Sequence, residues 1–180
     1  MYEERLSEMR EVNSVVSGGT VMFGSSTFAR IPFSEIASAL GISVTVYNRS
    51  LKGLTAKKAA EVLKDCVLDL NPDKVFVNLG ETEMGEKDFD PDKTIEDIRC
   101  VLNAIYESSG AKIYIVSVMK NGKNAEALNE RAEELAKELG YRFVDTRNVC
   151  ELKNPMFHLV SELRTFMRTS PIRFADAMQA

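Results

Sequence analysis

Two hydrophobic periods alternate along the 180-residue chain. Short runs of consecutive apolar residues are typical of strands buried on both faces, and they are separated by helical patterns of about 10–15 residues. The predicted strands are residues 20–23, 43–47, 74–79, 112–118 and 141–144. The predicted helices are residues 2–16, 33–40, 56–70, 94–108 and 125–139.

This alternation predicts an α/β fold, a three-layer α/β/α sandwich with a five-stranded parallel sheet wrapped as in flavodoxin. The length predicts one domain over residues 1–180, with an N-terminal helix in residues 1–18 packed on it. Ligands of such sheets bind at the carboxyl ends of the strands. A site is therefore expected in the turns that follow Phe23, Tyr47, Leu79, Val118 and Val144.

Composition narrows the classes of partner. The formal net charge is −4 and the basic residues are scattered, which argues against a nucleic-acid surface. No apolar run is long enough for a membrane span, and the charged N-terminus does not have the pattern of a signal peptide. The spacing of Cys66, Cys100 and Cys150 fits neither a zinc knuckle nor a disulfide framework, so we expect buried thiols in a cytoplasmic protein. Nothing in the sequence indicates a cofactor or a metal, and it leaves the oligomeric state open.

Polar blocks follow the first three predicted strands. They are Gly-Ser-Ser-Thr at residues 24–27, Asn-Arg-Ser-Leu-Lys-Gly-Leu-Thr at 48–55 and Gly-Glu-Thr-Glu at 80–83. Each block alone is a weak signal, because a Gly-Ser turn is usually only a turn. In this order they resemble the SGNH (GDSL-type) hydrolase family, and the resemblance extends from Thr20 to the C-terminus.

The resemblance implies that Ser26 is a nucleophile. It also implies that the N–H groups of Ser26 and Gly53, with the side chain of Thr82, stabilise an oxyanion, and that Ser25 and Asn48 belong to the binding site. A serine at a strand-to-helix turn meets the positive end of the helix dipole. Each well-placed oxyanion donor is worth about 3–4 kcal/mol. The implied substrate is a small neutral acyl ester.

The third block departs from the family pattern. Thr82 stands where the family has an asparagine that supplies a side-chain donor, and Glu83 stands where it has an aspartate. A threonine hydroxyl donates one hydrogen bond and also accepts, so the third oxyanion donor is weakened.

The C-terminal Asp-x-x-His block is the larger departure. If Pro171 and Phe174 are aligned with the family's usual proline and aromatic positions, Arg168 takes the place of the histidine and Thr165 that of the aspartate. Arginine stays protonated and cannot accept a proton from serine. In this alignment the catalytic base is absent.

A second alignment uses His158, the one histidine of the chain, with Pro155 at the aspartate position. The orienting carboxylate is then still missing. His158 is therefore either a base that reaches Ser26 or a partly buried helix residue with a local partner.

For Arg168 we formulate a hypothesis in which its guanidinium occupies the histidine's place and pairs with Glu83 across the crevice, or binds an anionic group of the ligand. The other interpretation is a solvent-facing position on an amphipathic helix.

Residues 81–92 carry six carboxylates and predict an acidic lip that repels anionic substrates.

Three hypotheses about function stay open: a serine ester hydrolase, a non-catalytic relative that keeps the crevice and binds an acylated ligand or a partner, and an ordinary doubly wound domain without serine chemistry.

Overall fold

The structure is a computed structural model in which residues 2–168 are described, without the side chain of Cys150. The alignment of Pro171 and Phe174 lies outside the described residues. Five parallel strands form one sheet in the order β2-β1-β3-β4-β5. They are β1 Thr20–Gly24, β2 Val46–Asn48, β3 Lys74–Asn78, β4 Lys112–Val116 and β5 Arg142–Val144. This strand order is that of flavodoxin-like folds and confirms the predicted sheet.

Seven helices cover the sheet in the described chain. They are α1 Glu3–Asn13, α2 Ser26–Ala29, α3 Phe33–Ala39, α4 Ala56–Cys66, α5 Pro91–Ser108, α6 Lys123–Leu139 and α7 Pro155–Arg168. Buried side chains of α1, α4, α5 and α6 pack on one face of the sheet, and those of α2, α3 and α7 pack on the other. The three-layer arrangement is therefore confirmed. No helix in the described part of the chain is long and apolar enough to cross a membrane.

The second strand begins later than the sequence predicts. The β-branched pattern covers residues 43–47, whereas pairing with β1 begins at Val46 and continues to Asn48. β2 lies at the edge of the sheet and pairs with β1 alone, so its ends depend on that register and not on its own side-chain pattern.

One prediction about the cysteines is wrong. Cys66 is buried, and burial raises the pKa of its thiol to about 12, so it is an unreactive core residue. Cys100 is exposed. It lies on the solvent side of α5, between the inward-facing Ile98 and Val101.

The carboxyl ends of β1 and β3 approach each other closely. A Cβ atom on Gly24 would lie 2.5 Å from the carbonyl oxygen of Asn78, so only glycine fits at this point. The Asn78 side chain in turn donates to the carbonyl groups of Val116 and Ser117 at the end of β4. Three neighbouring strand ends are thereby fixed relative to one another.

A buried carboxylate holds the turn after β1. Glu81 follows β3 and accepts hydrogen bonds from the backbone N–H and the hydroxyl of Thr27 at 2.8 and 2.9 Å. Its other close contact is an ion pair with Lys120 at 3.1 Å. Burial raises the pKa of Glu81, but the bonds from Thr27 and Lys120 outweigh this and leave the pKa below its ordinary value.

We predict that Glu81→Gln destabilises the protein at pH 7 by about 1–3 kcal/mol, because charge-assisted hydrogen bonds are lost. A carboxyl whose pKa is lowered by folding stabilises the fold above its ordinary pKa, and this contribution disappears as the pH falls through the folded-state pKa. Urea unfolding of wild type and Glu81→Gln should be measured from pH 7 down to the onset of acid unfolding. The difference between their free energies of unfolding should become smaller as the pH falls.

Glu86→Gln is the matched control, because Glu86 is exposed in the same loop. Equal unfolding midpoints for wild type and Glu81→Gln at pH 7 would show that this carboxylate does not hold the turn.

Candidate active site

Ser26 and Gly53 lie in direct contact. Ser26 is the first residue of α2, and its Oγ accepts a hydrogen bond from the backbone N–H of Gly53 at 3.0 Å. Gly53 has a φ of +73°, while nothing lies within 4 Å of a Cβ built there. Conformation, not space, therefore requires glycine. The structure brings together the serine and the N–H group that the resemblance pairs, and their catalytic roles stay predictions.

Thr82 also lies at this turn, but its hydroxyl proton is already engaged. Thr82 Oγ1 donates to the carbonyl oxygen of Leu54 at 3.0 Å and lies 2.7 Å from Ser25 Oγ. A hydroxyl has one proton, so Ser25 is the donor to Thr82. The structure gives the hydroxyl proton of Thr82 another acceptor, so its role as an oxyanion donor stays a prediction that this hydrogen bonding does not favour. Ser25 is fully buried, and its role in ligand binding likewise stays a prediction that its burial does not favour.

Asn48 fastens the loop after β2 to the segment that follows Ser26. Its side-chain amide donates to the carbonyl oxygens of Phe28 and Ile31, and its oxygen accepts from the N–H of Ser50. The side-chain amide of Asn48 thus uses both its N–H donors and its oxygen acceptor within the protein. Asn48 therefore positions the loop, and the expectation that it binds the ligand is not supported.

Glu83 points at the start of α4. One carboxylate oxygen accepts from the backbone N–H of Ala56 at 2.5 Å, and the other is buried without a hydrogen-bond partner in the described chain. Burial raises the pKa of Glu83, and the charges of Glu86 and Asp97 raise it further, while the bond from Ala56 opposes this. The partner of Glu83 is thus a helix N-terminus and not an arginine.

Arg168 lies far from this turn. Its guanidinium is exposed and donates to the carbonyl oxygens of Leu40 and Gly41, just beyond the end of α3. The preceding residue, Met167, accepts at its carbonyl from Lys74, the first residue of β3. α7 therefore ends at the amino-terminal edge of the sheet. The hypothesis that Arg168 faces Ser26 and pairs with Glu83 is wrong, because α7 runs away from the site.

His158 lies in the first turn of α7, at the opposite end of that helix from Arg168. Its ring makes an edge-on contact with Phe157 at 6.2 Å between centroids. Among the described residues no hydrogen bond joins His158 to Ser26, whose Oγ contacts the Gly53 N–H alone. The Ser–His pair that nucleophilic catalysis uses is not formed in this structure.

Only some of the carboxylates in the acidic loop are exposed and without a partner role in the fold. Glu81 is buried, Asp90 accepts from two N–H groups at the start of α5, and Asp92 pairs with Arg131. Glu86 and Asp88 are exposed. Within residues 2–168 no three His, Cys, Asp or Glu side chains are grouped so that they could hold a metal ion.

Sequence reasoning missed the residues that hold the site in place. Thr27, Glu81 and Lys120 form one cluster that joins α2 to the loops after β3 and β4, whereas the sequence pattern places Glu81 only in the acidic loop. The available signal is a carboxylate two residues after a predicted apolar strand, because such a position is at the buried edge of the sheet.

Comparison with solved structures identifies the fold. The amino-acid sequence matches no protein-family model and no curated protein at a significant level. A Streptococcus pneumonia protein whose description names platelet activating factor superposes with a TM-score of 0.78 at 18% identity, over 92% of each chain. A GDSL-like lipase from Bacteroides thetaiotaomicron gives 0.70 at 15% identity, over 89% of this chain and 95% of its own.

An acetylxylan esterase from Geobacillus stearothermophilus gives a TM-score of 0.67 at 12% identity, over 89% of this chain and 99% of its own. These likenesses cover about nine-tenths of this chain, and they agree with its five-stranded parallel sheet. The chain has the fold of the SGNH (GDSL-type) hydrolases.

Proposed function

We propose that the protein is an SGNH-type acyl-ester-binding protein with a degraded hydrolytic site, which holds a small neutral ester at the Ser26 turn and turns it over slowly. The observation that carries this proposal is the hydrogen bonding of Ser26. In the described chain Ser26 Oγ receives an N–H from Gly53, and no side chain accepts its proton.

Binding an ester and attacking it have different chemical requirements, which is why we propose binding with slow turnover. The N–H groups of Ser26 and Gly53 are suited to donate hydrogen bonds to an ester carbonyl oxygen, because backbone donors at a helix start favour partial negative charge. Gly53 would exchange its hydrogen bond to Ser26 Oγ for one to the ligand. Nucleophilic attack additionally needs a base to take the proton of the serine, since a neutral hydroxyl is a weak nucleophile.

The expected preference for neutral esters rests on the loop beside the serine. Thr82 contacts Ser25 at the start of that loop, and Glu86 and Asp88 lie exposed further along it. Their charges disfavour an anionic ligand at the neighbouring turn.

The structural neighbours support the esterase part of the proposal. They include a GDSL-like lipase and an acetylxylan esterase, and two structures of the latter are catalytic mutants in which a serine or a histidine is replaced by alanine. That esterase therefore uses both residue types. The present chain has one histidine.

A working hydrolase with His158 as its base is the second candidate. His158 is in the first turn of α7, the end of that helix opposite to the one at the amino-terminal edge of the sheet. Catalytic hydrogen bonds often tighten only when substrate binds. The two candidates differ in the rates that they predict.

We predict that hydrolysis of p-nitrophenyl acetate exceeds the uncatalysed rate by no more than about 10³–10⁴-fold, the residual effect of donors and binding without a triad. Ser26→Ala and His158→Ala should each change the rate by only a few fold, whereas a complete triad loses about 10⁶-fold. Ser34→Ala, at an exposed serine of α3, is the matched control. A fast rate abolished by both Ser26→Ala and His158→Ala would establish the second candidate instead.

Binding is tested separately from turnover. We predict that triacetin, a soluble neutral ester, shifts the backbone amide signals of Ser26 and Gly53 saturably in a ¹⁵N NMR titration. Monomethyl succinate, an anionic ester, should bind more weakly because of the acidic loop. The absence of any shift at these two amides at saturating triacetin would contradict the proposed binding site.

A further inference from the structure

Arg49 is a buried arginine that the ester site does not use. It directly follows β2, and its backbone N–H donates to the carbonyl oxygen of Met22 at 2.9 Å, which continues the pairing with β1. The residue is 5% exposed, and its guanidinium lies 5.5 Å from the centre of the Tyr47 ring. Within residues 2–168 its side chain has no hydrogen bond and no carboxylate at ion-pair distance.

Such an arrangement is unusual, because buried charges are normally paired. The guanidinium nitrogens of Arg49 are not fully enclosed, so a ligand can reach them from solvent. The Tyr47 face offers a cation–π contact of about 0.5–2 kcal/mol but no hydrogen-bond acceptor for the guanidinium N–H groups. Burial lowers the pKa of Arg49, and the charge of Arg5 lowers it further, yet arginine stays protonated. The surroundings of Arg49 thus lack negative charge.

The charge of a second cation, Arg5 of α1, acts on Arg49. Arg5 lies in the first half of that helix, and its pair with Glu8 at 2.7 Å is an exposed contact of the kind that contributes little. Tyr2, directly before α1, donates to the carbonyl oxygen of Lys52 at 3.3 Å. The start of α1 is therefore tied to the loop of residues 49–54, and Arg49 is the first residue of that loop.

We propose that Arg49, with Arg5 and the Tyr47 ring, forms a binding site for a phosphate group at the junction of α1 and residues 49–54. A guanidinium presents a planar fork of donors that matches phosphate oxygens, and a second arginine matches the charge of a dianion. A bound phosphate supplies the acceptors that the described chain does not give Arg49. The site shares the loop that carries Gly53 but uses none of the groups assigned to the ester, and it does not rest on the proposed function.

Calorimetric titration with inorganic phosphate at constant ionic strength tests the site. Wild type should bind phosphate saturably, with affinity reduced at least tenfold in Arg49→Met and several fold in Arg5→Ala. Arg30→Met is the matched control at an exposed arginine and should bind as wild type does. Phenyl phosphate, titrated in the same way, distinguishes a site that holds only the free ion from one that accepts the phosphate of a larger molecule. Acetate should bind weakly.

Arg49→Met should remain folded, because an apolar side chain often replaces an unpaired buried charge without loss. Phosphate should raise the melting temperature of wild type and of Arg30→Met more than that of Arg49→Met. If Arg49→Met does not fold, Arg49→Lys keeps the charge, loses the fork and should still weaken phosphate binding. Absence of saturable binding in wild type, or equal binding in wild type and the Arg49 variant, would overturn the proposal.

Discussion

The carboxylate of Glu81 fixes the relative positions of the loops on which the candidate site depends. It accepts two hydrogen bonds from Thr27, next to Ser26, and pairs with Lys120 in the loop after β4. A buried charge is tolerated when its donors are this well matched. The Ser26 turn is therefore held from the neighbouring strand end and not by its own short helix.

The polar groups around this turn are nearly all engaged with one another. Ser25, Thr82 and the carbonyl of Leu54 form one chain of hydrogen bonds, and Asn48 fills its donors and its acceptor with backbone groups. Such internal networks rigidify a site but leave few groups for a ligand. In the described chain Ser26 Oγ and the N–H of Gly53 bond to each other. A ligand that replaces this one hydrogen bond meets both groups, which is why the proposed function centres on them.

The sequence predicted what depends on local pattern and strand order. The apolar runs identified the five strands, and the polar blocks after them placed Ser26 and Gly53 at one edge of the sheet. Side-chain partners were harder, because they depend on tertiary contacts. The single proton of Thr82 is taken by a carbonyl that no sequence pattern marks.

The direction of the last helix was the other quantity that sequence reasoning could not supply. The sequence alignment that puts Arg168 in the place of a histidine carries no information on where α7 begins. Because α7 begins at Pro155, its end lies beside Lys74 at the amino-terminal edge, where Arg168 caps the carbonyl groups after α3. Leu159, Leu163 and Met167 of α7 are buried in the core on the same face of the sheet as α2 and α3.

The central claim is that no side chain of the described residues accepts the proton of Ser26. The most direct test is the rate at which a fluorophosphonate modifies Ser26, followed by intact-protein mass spectrometry between pH 5 and 9 with Ser26→Ala as the blank. We predict slow labelling without an inflection in the range where histidine titrates, near a pKa of about 6.5. Rapid stoichiometric labelling of Ser26 that rises through such an inflection and is lost in His158→Ala would contradict the account.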